Sequence, residues 1–253
     1  MDTLNHIRRR VRALASAAAF SLLPGSALVA APVSVDRASG PPTIVVTAAD
    51  VAASNTKVKM AYDDLIAMWT TQFTKLGERF AVPDIARYRS PIRTACGVMD
   101  RNNAGYCPTD NTIYYDDVFV AAQAKMAARE VGTDGDMAAI GIIAHEMGHA
   151  VAMQLGHDSR ISYQNESVAD CLAGAFAQRA EHAGTLEKGD VEEAFAAMAR
   201  AGDPTPELTG DQRTDQRILA RMAVRGHGTR EQRMQNFRSG LSAGAGACLP
   251  EFR

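Results

Sequence analysis

Residues 140–155, IGIIAHEMGHAVAMQL, make a long apolar stretch interrupted by His145, Glu146 and His149, groups that are costly to bury without partners. The apolar periodicity and the Asp134/Asp136 and Gly156 boundaries predict a helix from one of those aspartates to about Leu155. Side chains four apart lie on one helical face, so His145 and His149 can present their imidazoles to one ion without distorting the backbone. Glu146 sits one step round the helix, beside such an ion rather than on it, where a carboxylate can take a proton from water. The pattern His-Glu-x-x-His thus predicts a single Zn2+ site with Glu146 as general base. The bland alternative is a polar patch on an amphipathic helix.

A hydrolytic zinc site takes three protein ligands and keeps a position open for water. The next helical pattern, expected over Asn165 to about His182 and ended by Gly184, begins with Glu166 and has Asp170 four residues on. Glu166 is expected as the third ligand. Asp170 is expected to accept the N–H of the far nitrogen of a ligating histidine, which fixes the tautomer and raises the basicity of the ligand. An acidic pair near a helix start also suits the helix dipole, and that is the bland reading of both.

The rest of the chain frames this pair of helices. A helix capped by Asn55 or Thr56 is expected to reach about Glu78, on the spacing of Val58, Ala61, Leu65, Met68, Trp69 and Phe73. Residues 84–116, rich in Pro, Gly, Asn and Asp, predict a small hairpin or sheet with a strand at Thr112–Tyr115. Further helices are expected over Asp117–Glu130, Asp190–Arg200, Asp211–Val224, and from a Thr229 cap to about Ser239. The fold class expected is α+β, mostly helical, with a minor β-hairpin or small sheet. Thr133-Asp134-Gly135-Asp136 matches part of a calcium loop, but the other loop positions are missing and helix capping accounts for it better.

The first residues read differently. Arg8, Arg9, Arg10 and Arg12 precede an uncharged stretch from Ala13 to Val35, broken by Pro24-Gly25. This is the layout of a secretory signal, residues 1–31, with cleavage after Ala27 or near Ala30–Ala31; an uncleaved anchor facing the periplasm is the alternative. Residues 32–55 read as a linker with a short strand at Thr43–Thr47, and 56–253 as the catalytic domain. Four cysteines agree with a periplasmic or secreted protein. Cys96 and Cys107 flank a turn-rich segment and are expected to pair; Cys171 with Cys248 follows by elimination. A net charge of −2 gives no general attraction for nucleic acid, and the arginines of the C-terminal half, with acids interleaved, read as solvated helix faces.

His-Glu-x-x-His followed by Glu166-x-x-x-Asp170 resembles the gluzincin peptidases. More closely, the chain from about Ile92 to its end resembles the bacterial "putative neutral zinc metallopeptidase" family. The resemblance rests on Ala95-Cys96-Gly97, Tyr106-Cys107-Pro108 with Asp110, and Ile113-Tyr114-Tyr115-Asp116. It also rests on the metal helix, Ala169-Asp170-Cys171-Leu172-Ala173-Gly174, and His227-Gly228-Thr229 with Gln232-Arg233. It implies a zincin-like domain that hydrolyses a peptide or protein substrate, and it names no particular one. Members often carry a long membrane-anchored N-terminus, whereas the signal-like segment here is short.

Peptide hydrolysis builds negative charge on the carbonyl oxygen, which a His, Tyr or Arg can meet. The spacing His227-x5-Arg233 is similar to an element of membrane-bound CAAX-processing metalloproteases whose His and Arg line the site. His227 is therefore expected to stabilise the oxyanion, with Arg233 supporting it or clamping substrate; a loop His before a Thr229 cap is the plain alternative, and Tyr163 a rival. Tyr114 and Tyr115 are expected to pack in the sheet, and His157 to cap a helix end. Two other functions share these residues: a metal-bearing envelope binding protein or chaperone that does not cleave, and a zinc hydrolase of a non-peptide amide.

Overall fold

The computed structural model describes residues 44–253; the expected signal or anchor at 1–31 lies outside the described residues. Helix α1 (Ala48–Lys75) starts well before the expected cap at Asn55 or Thr56, so the expected linker to residue 55 ends early. The reason is a capping box at Thr47: its hydroxyl accepts from Asp50 N at 3.2 Å, and Asp50 Oδ2 accepts from Thr47 N at 2.7 Å. Residues 44–47 are accordingly not a strand. The apolar stripe of α1 from Val51 through Trp69 to Phe73 is buried.

Five short strands follow: β1 (Asp84–Tyr88), β2 (Ile92–Thr94), β3 (Gly97–Met99), β4 (Ala104–Cys107) and β5 (Thr112–Asp116). Strands β2 and β3 form an antiparallel hairpin. In the other sheet β5 is central, parallel to β1 and antiparallel to β4, so β4 is an edge. Tyr115 is buried and its hydroxyl donates to Asn55, while Tyr114 donates to Asp110.

Strand β5 runs directly into α2 (Asp117–Ala127), capped by the fully buried Asp116, and a π-helical turn extends it to Gly132. Then come α3 (Asp136–Gln154), α4 (Ser162–Ala183), α5 (Asp190–Ala201), α6 (Gln212–Arg225) and α7 (Arg230–Ala243). The result is a mostly helical α+β fold with a minor sheet and a minor hairpin. Neither Asp134 nor Asp136 caps α3. The N-cap is Gly135, and the buried Glu193 of α5 accepts from Gly135 N at 2.8 Å and Met137 N at 2.9 Å. Asp136 pairs instead with Lys57.

Helix α3 is the hub, buried on nearly all sides by α1, α2, α4 and α5. It meets α4 at Gly148, where a Cβ would lie 2.9 Å from the Ala169 Cα and O, so only glycine allows this approach. Helices α4 and α7 are closer still: a Cβ on Gly240 would sit 1.7 Å from the Cys171 oxygen. The disulfide Cys171–Cys248 fastens the C-terminal segment to α4, and Cys96–Cys107 fastens β4 to the hairpin. No described helix is long and apolar enough to cross a membrane.

Candidate metal centre

The deep packing of α3 on α4 brings His145, His149 and Glu166 together. His145 Nε2 lies 3.1 Å from His149 Nε2 and 3.2 Å from Glu166 Oε2, and His149 Nε2 lies 3.5 Å from Glu166 Oε1. Four ligands at roughly 2.0–2.1 Å around a tetrahedral zinc stand roughly 3.3 Å apart. The three donors therefore span one face of such a tetrahedron, and the residues fit the ion. The tautomers agree. His145 Nδ1 is 2.9 Å from Asp170 Oδ1, so its proton belongs there and the Nε2 lone pair faces the other donors. Converging lone pairs repel unless a cation, whether a proton on His145 or a metal ion, sits among them.

Electrostatics select for that cation. Burial of the His145 ring opposes a charge, yet the carboxylates of Asp170 and Glu166 outweigh it and push its pKa up to about 10. Burial would raise the Glu166 and Asp170 carboxyls too, but their imidazole neighbours, with Arg233 beside Asp170, hold both below the ordinary carboxylate range. A positive charge is favoured where the three donors meet.

Helix α4 begins at Ser162, earlier than expected, so Glu166 is in its second turn and Asp170 beyond it. The helix dipole acts mainly within the first turn and does not account for them. Asp170 is fully buried and gripped from behind by Arg233, whose NH2 and Nε are 2.6 and 3.1 Å from Oδ1 and Oδ2. Arg233, expected to support His227 or to clamp substrate, pairs with Asp170; a guanidinium only 5% exposed needs a carboxylate beside it. Its NH1 donates to the Ala201 oxygen at 3.2 Å.

Glu146 is buried against edge strand β4, and its Oε2 accepts the Tyr106 N–H at 2.9 Å. No side-chain pattern could have pointed to that donor, because it is main chain. A cleft of about 530 Å³ opens over the donors, walled by β4, Phe119, Ile142, Met198 and Arg200, with His227 at its edge. The His227 side chain is 58% exposed. Its loop is held by Asp203, whose Oδ2 accepts from His227 N at 2.6 Å and Gly228 N at 3.2 Å. Asp203 carried no signal in the sequence. Tyr163 does not line the cleft; its ring packs on Gly228, where a Cβ would be 2.7 Å away. The His157 side chain does not cap α3 but pairs with Glu251 at 2.8 Å.

The family described as "Putative neutral zinc metallopeptidase" matches residues 42–252. The uncharacterized protein YpfJ of Escherichia coli (strain K12) is 33% identical over 213 residues, covering 77% of this chain and 69% of that one. The uncharacterized protein Rv2575 of Mycobacterium tuberculosis (strain ATCC 25618 / H37Rv) is 28% identical over 184 residues, covering 64% of this chain and 59% of that one. No solved structure matches the chain.

Proposed function

This chain belongs to the family described as "Putative neutral zinc metallopeptidase", and from that premise we propose that it is an exported zinc-dependent peptidase that cleaves peptide bonds with Glu146 as general base. The observation that carries the reading is the triangle of His145, His149 and Glu166 donors, with edges of 3.1, 3.2 and 3.5 Å, at the floor of an open cleft. Bound there, zinc supplies Lewis acidity and lowers the pKa of a water at its open position.

The chain's own residues do the rest. Glu146 takes the proton of the attacking water on its carboxylate, which the Tyr106 N–H holds at Oε2, and then hands that proton to the leaving amine. His227, at the cleft edge, donates to the carbonyl oxygen as its charge develops. Asp170 holds the His145 ring in register, and Arg233 holds Asp170. Strand β4 is an edge of its sheet beside Glu146, which engages its Tyr106 N–H, and an extended substrate can lie along the remainder of that edge.

Export is supported by the two disulfides and by the signal-like composition of the first residues. Mass spectrometry of envelope or secreted material should find a mature start near residue 28–32 and no free thiols; a start at Met1 with reactive cysteines would count against it. The cleavage test is an unbiased peptide mixture incubated with the zinc-loaded protein. Cuts that vanish with chelator and return with zinc support the peptidase. No cuts at all would leave a binding protein or a hydrolase of another amide.

A further inference from the structure

Helix α6 stands apart from the rest of the domain. None of its residues is fully buried, and it packs mainly against α4 through the half-buried Ile218 and Met222. Arg213, Arg217, Arg221 and Arg225 repeat along it at every fourth position, and all four are exposed. At about 100° per residue they cover an arc of about 120°, bordered on its Arg225 side by Ile218 and Met222, over roughly 18 Å of helix. None of the four has a carboxylate partner among the described residues. The two acids of this segment are spent at its N-terminal end: Asp211 caps the helix, and Asp215 accepts from Thr209 and Gly210. From Gln216 to Arg230 the sequence holds no acidic residue.

Four arginines elsewhere in this fold pair with carboxylates, Arg89 with Asp117, Arg101 with Asp116, Arg200 with Glu130 and Arg233 with Asp170. Four unpaired guanidinium groups in a row repel one another, so an anionic surface would stabilise this face. An exposed apolar side chain distinguishes the partner: Val224, 50% exposed, lies within the arginine arc. An acidic polypeptide needs only the charges, whereas a bilayer interface takes both, drawing the guanidinium groups to headgroup phosphates and the aliphatic side chain toward the acyl boundary.

We propose that the α6 ridge is a docking surface for an anionic lipid bilayer. Docking is peripheral and electrostatic, so it weakens with salt. The ridge runs into the loop that carries His227 at the cleft edge, two residues beyond Arg225.

The test uses the full chain as the cell delivers it, with vesicles of phosphatidylcholine alone or mixed equally with phosphatidylglycerol. The readout is the ratio of partitioning onto anionic over neutral vesicles, which cancels any contribution of the N-terminal segment that does not depend on lipid charge. The wild type should show a ratio on the order of a hundredfold at low salt, collapsing at high salt. Replacing all four arginines with glutamine should bring it near one, and replacing them with lysine should keep most of it, with zinc content unchanged in both. A wild-type ratio near one overturns the proposal, as does a glutamine variant that still prefers anionic vesicles. Tight binding to polyglutamate without lipid preference would overturn it in favour of an acidic protein partner.

Discussion

Asp170 and Arg233 form a two-pronged ion pair, 2.6 and 3.1 Å, buried directly behind His145, and the same Asp170 Oδ1 takes the His145 Nδ1 proton at 2.9 Å. The chain of contacts runs from α7 through α4 to the metal face of α3. Breaking it from the far end should be felt at the near end.

Arg233→Ala leaves Asp170 buried with its guanidinium gone. Loss of one partner of a buried pair costs about 3–5 kcal/mol, which denaturant unfolding would register. Zinc affinity should also fall, by about ten- to a hundredfold, because the group that orients His145 is no longer held. Arg233→Lys restores the charge but not the fork, and should recover stability only in part. Unchanged zinc affinity in Arg233→Ala would show that Asp170 holds its position without α7.

The donor triangle predicts about one zinc per chain in purified protein, with His145→Ala and His149→Ala each abolishing it. Chelation should lower the unfolding temperature, since an ion bound only by the folded state stabilises it by mass action. Full zinc retention in both variants, measured by elemental analysis, would remove the site.

Glu146→Gln keeps the size of the side chain and lies outside the donor triangle. It should retain zinc and the fold while hydrolysis falls by about a hundredfold or more, the range expected for a general base. Undiminished cleavage of any peptide the wild type cuts would assign the base elsewhere.

Asp116 offers a pH test away from the metal. Burial opposes its charge, but the Arg101 guanidinium and the N–H groups of Asn102, Phe119 and Val118 overcome this and hold its pKa below the ordinary 3.8. A carboxyl depressed in the folded state stabilises fully above the unfolded value and loses that contribution as pH falls through the folded value. Part of the loss of stability below about pH 4 should therefore disappear in Asp116→Asn, which should be less stable than wild type at neutral pH. Parallel stability curves for the two proteins across the acid range would exclude this role.

Much of this architecture was legible because it is local. The 3.6-residue period, the Thr229 cap and the His145/His149 spacing each act within a turn or two. Glu166 and Asp170 could be linked to them because a zinc site demands a third ligand. What the sequence left unread is long-range. Arg233 meets Asp170 across 63 residues, and Glu193 caps α3 from 58 and 56 residues away. The Tyr106 N–H reaches Glu146 from a strand edge that no side-chain pattern marks. The early start of α1 was missed for a local reason: the Thr47–Asp50 box stood ahead of a weaker signal at Asn55.

His227 and Glu166 should fail in different ways. Glu166 lies 3.2 and 3.5 Å from the two histidine nitrogens, so Glu166→Ala removes a donor, and zinc and activity should drop together. His227 is more than half exposed at the edge of the cleft and touches none of the three donors. If it meets charge that exists only in the transition state, His227→Ala should spare zinc, fold and KM and lower kcat by about a hundredfold, the usual cost of one oxyanion donor. Asp203 separates this from a loop-shaping role, because it holds the His227 and Gly228 N–H groups rather than the ring alone. Asp203→Ala should disorder the loop and disturb KM as well as kcat, whereas His227→Ala should move kcat only. A His227→Ala protein with full kcat would leave His227 a loop residue, without bearing on the zinc ligands.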